Sequence, residues 1–169
     1  MRVRKQAKDP GDTEAAYALA LRMLGVRASS RRRLGERLAR RGFEREVVEA
    51  VVERLVSNGI IDDAALAESV ARVSFENSPT GRRLVEAKLL RRGIDRGVAE
   101  SAARDAAGDR DALADARRLA ARKLRTMPAS LEPDAVRRRL LGALSRRGFE
   151  PEIAREAAEA EIGAAKLWS

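Results

Sequence analysis

The chain contains no cysteine and no histidine. Their joint absence removes disulfides, zinc sites built on thiolate or imidazole, thiol nucleophiles and histidine general bases. Aromatic residues make up 3% of the 169: Tyr17, Phe43, Phe75, Phe149 and Trp168. That is too few for a row of base-stacking platforms of the single-strand-binding type. Proline (5) and glycine (12) are sparse, and no stretch alternates apolar with polar residues, so a β fold has little support. No apolar run approaches the roughly 20 residues of a membrane span. The first residues lack a signal-peptide core, and the expected location is cytoplasmic. No Gly-x4-Gly-Lys-Ser/Thr phosphate loop is present, which argues against nucleotide hydrolysis.

What is abundant is alanine, arginine, leucine and glutamate, with 36% of residues charged. That profile suits an all-α chain. The formal charge is +9, which favours a polyanionic partner or one with an acidic surface. Only five of the 35 basic residues are lysine, leaving 30 arginines. Bidentate phosphate contacts and genomic base composition both explain such an excess.

One phrase occurs three times: Arg40-Arg41-Gly42-Phe43-Glu44, Arg91-Arg92-Gly93-Ile94-Asp95 and Arg146-Arg147-Gly148-Phe149-Glu150. The glycines are 51 (93 − 42) and 55 (148 − 93) residues apart, a repeat-protein period. Each phrase is expected to form a corner between two helices. A left-handed glycine at C′ places Leu38 with Phe43, Leu89 with Ile94 and Leu144 with Phe149 as the apolar pairs of Schellman caps. The paired arginines then sit on the last helical turn, where the dipole favours cations, and the acid becomes the N-cap of the next helix.

Helical spacing extends between the corners. A helix is expected from Asp12 or Thr13 to about Val26, and a second from Arg31 to Arg41 capped by Ser29 or Ser30. A third carries Val47, Val48, Val51, Val52 and Leu55, ending at Asn58-Gly59 with Leu55 and Ile60 paired. Asp62 caps a fourth, onto whose Leu66 the preceding Ile61 can staple. Asn77-Ser78-Pro79-Thr80-Gly81 is a break. The pattern then restarts with Leu84, Val85 and Leu89, followed by Val98, Ala99, Ala102, Ala103 and Ala106. A long helix runs from about 110 to Met127, Pro128 to Pro133 is a linker, and the third copy ends with Ile153, Ala154, Ala157, Ala158 and Ile162. The expected fold is all-α: about nine helices in tandem three-helix units, an elongated solenoid-like array. The divisions are a disordered basic arm (1–11), three units (12–60, 61–108 and 109–163) and a loose tail (164–169). Alanines replace valines in the later units, so those helices must pack closely or be less stable, and the units are expected to hold each other up.

Charge repeats as well. The helix before each corner is basic: 31–41 is +5, 82–92 is +4 and 137–147 is +5, while 110–125 adds +4. The helix after each corner is acidic: 44–58 is −2, 95–107 is −1 and 150–161 is −4. Stacked units would line up a basic stripe; the alternative is a set of solvated, salt-laced helix faces. A helix-turn-helix DNA reader is disfavoured, because the second helix of each pair, the one that would enter the groove, is acidic. Asp62-Asp63 is explained as a cap before an apolar helix, so no metal site and no cofactor is expected.

At this point the sequence resembles the RecX family, modulators of the RecA recombinase. The carriers are Leu38-Ala39-Arg40-Arg41-Gly42-Phe43, Gly59-Ile60-Ile61-Asp62-Asp63 followed by Leu66-Ala67, Leu89-Leu90-Arg91-Arg92-Gly93-Ile94, and Leu144-Ser145-Arg146-Arg147-Gly148-Phe149. The resemblance spans about residues 13 to 163. Leu66 stands where the family usually has phenylalanine, and Gly97 and the alanine-rich second unit are less typical. The resemblance implies tandem three-helix units without enzymatic activity. It further implies binding to RecA, free and in filaments on DNA, lying in the filament groove and hindering extension. Lower ATPase, strand-exchange and LexA-cleavage-promoting activities follow. The residues expected to touch RecA or the DNA backbone are Arg31, Arg32, Arg33, Arg37, Arg82, Arg83, Lys88, Arg117, Arg118, Arg122, Arg137, Arg138 and Arg139. The corner residues Leu38, Gly42, Phe43, Leu89, Gly93, Ile94, Leu144, Gly148 and Phe149 are structural, and the corner arginines are weaker candidates for contact. A monomer is expected. The rival reading is a general basic DNA binder that competes with RecA for DNA through phosphate contacts, at steep salt dependence.

Overall fold

The structure, a computed structural model, describes Ala7 and residues 9–166. Among them are nine helices: α1 (Thr13–Val26), α2 (Arg31–Ala39), α3 (Arg45–Ser57), α4 (Asp63–Glu76), α5 (Arg82–Arg91), α6 (Arg96–Ala107), α7 (Ala112–Leu124), α8 (Pro133–Arg146) and α9 (Pro151–Lys166). Short polar caps start most of them. The carboxylates of Asp12, Asp62 and Asp111 accept from the N–H groups of Ala15, Ala65 and Ala114, and the Ser30 hydroxyl accepts from Arg33. α8 starts on Pro133, whose missing N–H is no loss at a first turn.

All three corners turn on a left-handed glycine, and the second and third close as Schellman turns. Gly42, Gly93 and Gly148 have φ of 88°, 79° and 79°, a region that side chains with a Cβ avoid. The C″ amides of Ile94 and Phe149 donate to Leu89 and Leu144, at 3.2 Å each. Gly59 (φ 67°) makes the same turn after α3, with Ile60 N–H on Leu55 O at 2.9 Å. Three details differ from the sequence reading. α2 closes at Ala39, so Arg40 and Arg41 belong to the turn rather than the helix. Only Asp95 is seen to cap with its side chain, on Gly97 N–H; Glu44 makes no such bond, and Glu150 reaches out to Arg82 and Arg83 instead. The longer glutamate stem explains the difference: it overshoots its own helix end. Third, Ile61 packs into the core of the first triplet while Leu66 lies against that of the second, so the pair is split across two cores rather than stapled within one.

Helix ends shift elsewhere too. α7 stops at Leu124 rather than Met127, and α9 continues to Lys166 through Ala164 and Ala165, strong helix formers, where a tail was expected to begin. Residues 167–169 lie outside the described residues. So do residues 1–6 and 8 of the expected arm.

Every substantial helix–helix packing falls within a triplet: α1–α3, α4–α6 or α7–α9. Each triplet has its own apolar cluster, around Leu34, Leu38, Val51 and Leu55, around Val85, Leu89 and Ala103, and around Leu140, Leu144 and Ala157. The units are expected to hold each other up, and among the described residues no apolar cluster is shared between them. The alanines Ala67, Ala71, Ala99 and Ala103 are at most 1% exposed and let α4 and α6 approach closely, so the second unit closes on itself.

The units meet instead through polar contacts at the corners. The carbonyl of the second arginine in each phrase accepts a hydrogen bond from the segment before it in the array. Arg92 O accepts from Ser30 Oγ (2.6 Å), Arg147 O from Gly81 N–H (2.8 Å) and Arg41 O from Ala7 N–H (2.8 Å). Ser30 and Gly81 hold equivalent places, each 12 residues before the glycine of its own corner (42 − 30; 93 − 81). Arg83 N–H adds a 3.2 Å bond to Gly148 O, and Arg147 reaches Ser78 Oγ at 2.6 Å. Glu44 N–H donates to Pro10 O at 3.1 Å, so the described part of the arm occupies the first corner. In the third unit the equivalent position, Val136 (148 − 12), lies inside α8, with its N–H on Glu132 O at 3.1 Å.

Candidate partner-binding cleft

The arginine-rich second helices point their charge in two directions. Seven of the thirteen expected contact residues pair with acids of the same chain. Arg31 pairs with Asp63, Arg32 with Glu36, Arg82 with Glu86 and Glu150, and Arg83 with Glu150 at 2.6 Å. Arg117 pairs with Glu161 at 2.9 Å, Arg118 with Asp115, and Arg137 with Glu159. At this exposure each pair stabilises by at most about 1 kcal/mol, yet it offsets the positive field locally. Arg33, Arg37, Lys88, Arg122, Arg138 and Arg139 form no ion pair among the described residues.

Arg33, Arg37 and Lys88 converge with residues left off the expected set. A groove of about 410 Å³ between the first and second triplets is lined by Arg27, Arg33, Arg37 and Arg92, over Met23, Val26 and Leu66. It shares Arg33 and Arg92 with a groove of about 620 Å³ that adds Lys88 and Arg91 over Val70 and Val73. On its other side it shares Met23 and Arg37 with a notch that adds Arg40 and Arg41. The three form one cleft with eight basic residues and no carboxylate in its lining. The third triplet has a separate groove of related make-up, lined by Leu119, Arg122, Lys123, Ala143, Arg146 and Arg147. Arg138 and Arg139 line none of these grooves.

Helix geometry explains the convergence. Arg33, Arg37, Arg40 and Arg41 recur at three- and four-residue steps, one side of α2 and its turn, as Lys88, Arg91 and Arg92 do on α5. The Arg33 guanidinium also donates to Arg91 O, and Lys88 Nζ lies 3.4 Å from Ser74 Oγ, so both bases are held across the cleft. Partial burial, with Arg41 and Arg40 nearby, lowers the Arg37 pKa from its ordinary value. Like charges held together in this way lower their mutual repulsion when an anion enters. Arg91 and Arg92 divide their labour: the backbone carbonyls accept from Arg33 and Ser30 of the first unit, and the side chains line the groove. Their recurrence at the corner was visible in the sequence; that division was not.

Fold and cleft together define a class: an all-helical tandem-repeat protein with a basic cleft. The chain belongs to the RecX family. Models of the first, second and third three-helix domains of RecX match residues 16–55, 62–102 and 109–158. The regulatory protein RecX of Mycobacterium avium (strain 104) is 37% identical over 158 residues, covering 92% of this chain and 90% of its own. That of Mycolicibacterium smegmatis is 35% identical over 165 residues, covering 94% and 86%. The crystal structure of RecX from Lactobacillus salivarius superposes with a TM-score of 0.75 at 21% identity, over 88% of this chain and 96% of that one. No helix among the described residues is long and apolar enough to cross a membrane.

Proposed function

We propose that the chain is a non-enzymatic regulator that binds RecA, both free and in filaments on DNA. It occupies the filament groove, hinders extension, and lowers ATP turnover, strand exchange and co-protease activity in DNA repair and the SOS response. Membership of a family of regulatory proteins named RecX supports the partner. The observation that carries the binding mode is the cleft of eight bases without an acid. Three linked units can touch several protomers of a polymeric partner at once, and such contacts gain avidity without strong individual bonds. The cytoplasm is the compartment this partner implies. DNA phosphates are a secondary contact, served by Arg122, Arg138 and Arg139. The monomer is the binding form.

The test is titration into preformed RecA filaments while ATP turnover is followed, with DNA binding by the chain alone as control. Inhibition at ratios well below one chain per DNA site supports the reading. Inhibition that tracks occupancy of naked DNA, and vanishes at physiological salt, overturns it in favour of competition for DNA.

A further inference from the structure

The cleft between the first and second triplets has an apolar floor as well as a basic rim. Val26 and Val73, 88% and 44% exposed, are two of the five large hydrophobic side chains left exposed among the described residues, and both line it. Met23, Leu66 and Val70 continue the floor. No aromatic ring is present for a base to stack on. The two grooves, about 410 and 620 Å³, fall in the size range that encloses several side chains. A phosphate backbone would satisfy the rim and leave the floor wet. A peptide segment with acids on its flanks and an apolar residue at every third or fourth position would satisfy both, as amphipathic helices do in grooves.

We infer that this cleft docks an acidic, apolar-anchored segment of the partner protein rather than nucleic acid. The inference rests on the reading of RecA as partner and adds which surface takes it and by what chemistry. The rim supplies charge complementarity: Arg27, Arg33, Arg37, Lys88, Arg91 and Arg92 face inward with no carboxylate among them. Those charges steer the approach, and the valines fix the register once water is expelled.

Neutral substitutions of the floor separate the two anion sources. Val26→Ser with Val73→Ser leaves every charge in place, and neither valine is buried, so folding should be unchanged, with circular dichroism as the check. The double variant is expected to bind RecA about tenfold more weakly than the unsubstituted chain, while affinity for a single-stranded oligonucleotide stays within about twofold, since phosphate binding depends on the unchanged charges. RecA affinity that is unchanged, or that falls in step with oligonucleotide affinity, overturns the inference and leaves the RecA reading standing. Failure of the unsubstituted chain to bind RecA at all overturns that reading, and the inference with it.

Discussion

Gly81→Ala isolates the joint between the second and third units. Gly81 has φ −82° and ψ 156°, extended backbone that alanine adopts freely, so the substitution introduces no local strain. Its Cβ would lie 2.1 Å from Gly148 O and 2.4 Å from Phe149 N. Carbon–oxygen contacts relax only near 3.3 Å, so the surfaces must separate by about 1 Å. That displacement takes the 2.8 Å bond from Gly81 N–H to Arg147 O, and the 3.2 Å bond from Arg83 N–H to Gly148 O, out of range. Each contributes about 1 kcal/mol. The half-exposed Arg83–Glu150 pair adds less than about 1 kcal/mol. The variant should lose about 2–3 kcal/mol of coupling between units. Urea unfolding with amide exchange resolved by unit reads this out: the third unit should exchange independently of the second. Gly25→Ala is the control. Nothing lies within 4 Å of its Cβ, and it should stabilise α1 by up to about 1 kcal/mol. A Gly81→Ala protein with an unchanged midpoint and unchanged exchange would refute the joint.

Ser30→Ala removes both the cap on Arg33 N–H and the 2.6 Å bond to Arg92 O. It should cost about 1–3 kcal/mol in thermal or urea unfolding, against only a few tenths for Ser57→Ala on an exposed helix end. Gly93→Ala must hold φ at 79° and crowd Ser30 Oγ at 2.9 Å, so a loss of at least about 1 kcal/mol is expected by the same measurement. Arg37→Glu with Lys88→Glu reverses two cleft charges that have no acidic partner. It should weaken filament inhibition about tenfold or more at unchanged helicity, whereas Arg32→Glu, whose partner is Glu36, should change inhibition by less than about threefold. Equal effects of the two would mean that total charge, not the cleft, decides binding.

The corners were legible because a Schellman turn is local. Glycine, its apolar neighbour and a leucine five positions earlier state it within six residues, and the phrase recurs three times. Helix order followed from the same kind of short-range pattern. The joints were not legible, since Ser30 and Arg92 are 62 residues apart and only the fold brings a hydroxyl to that carbonyl. Asn77–Gly81 showed itself as a chain break, yet Gly81 is glycine because backbone from the third unit touches it. The candidate site was half legible. Counting charge along α2, α5 and α8 located the basic helices, but which arginines remain available depends on acids such as Asp63, Glu150 and Glu161 arriving from elsewhere in the chain. Arg91 and Arg92 were discounted for their structural position, although only their carbonyls are spent on the joint.

A protein partner met by the cleft between the first two units should bind this chain without any nucleic acid present. Binding of the chain to RecA in the absence of DNA, measured by titration calorimetry at physiological salt, tests it most directly. Saturable binding is expected, weakened at least about tenfold by Arg37→Glu with Lys88→Glu. Binding that appears only when DNA is added, or that the double variant leaves untouched, would contradict it.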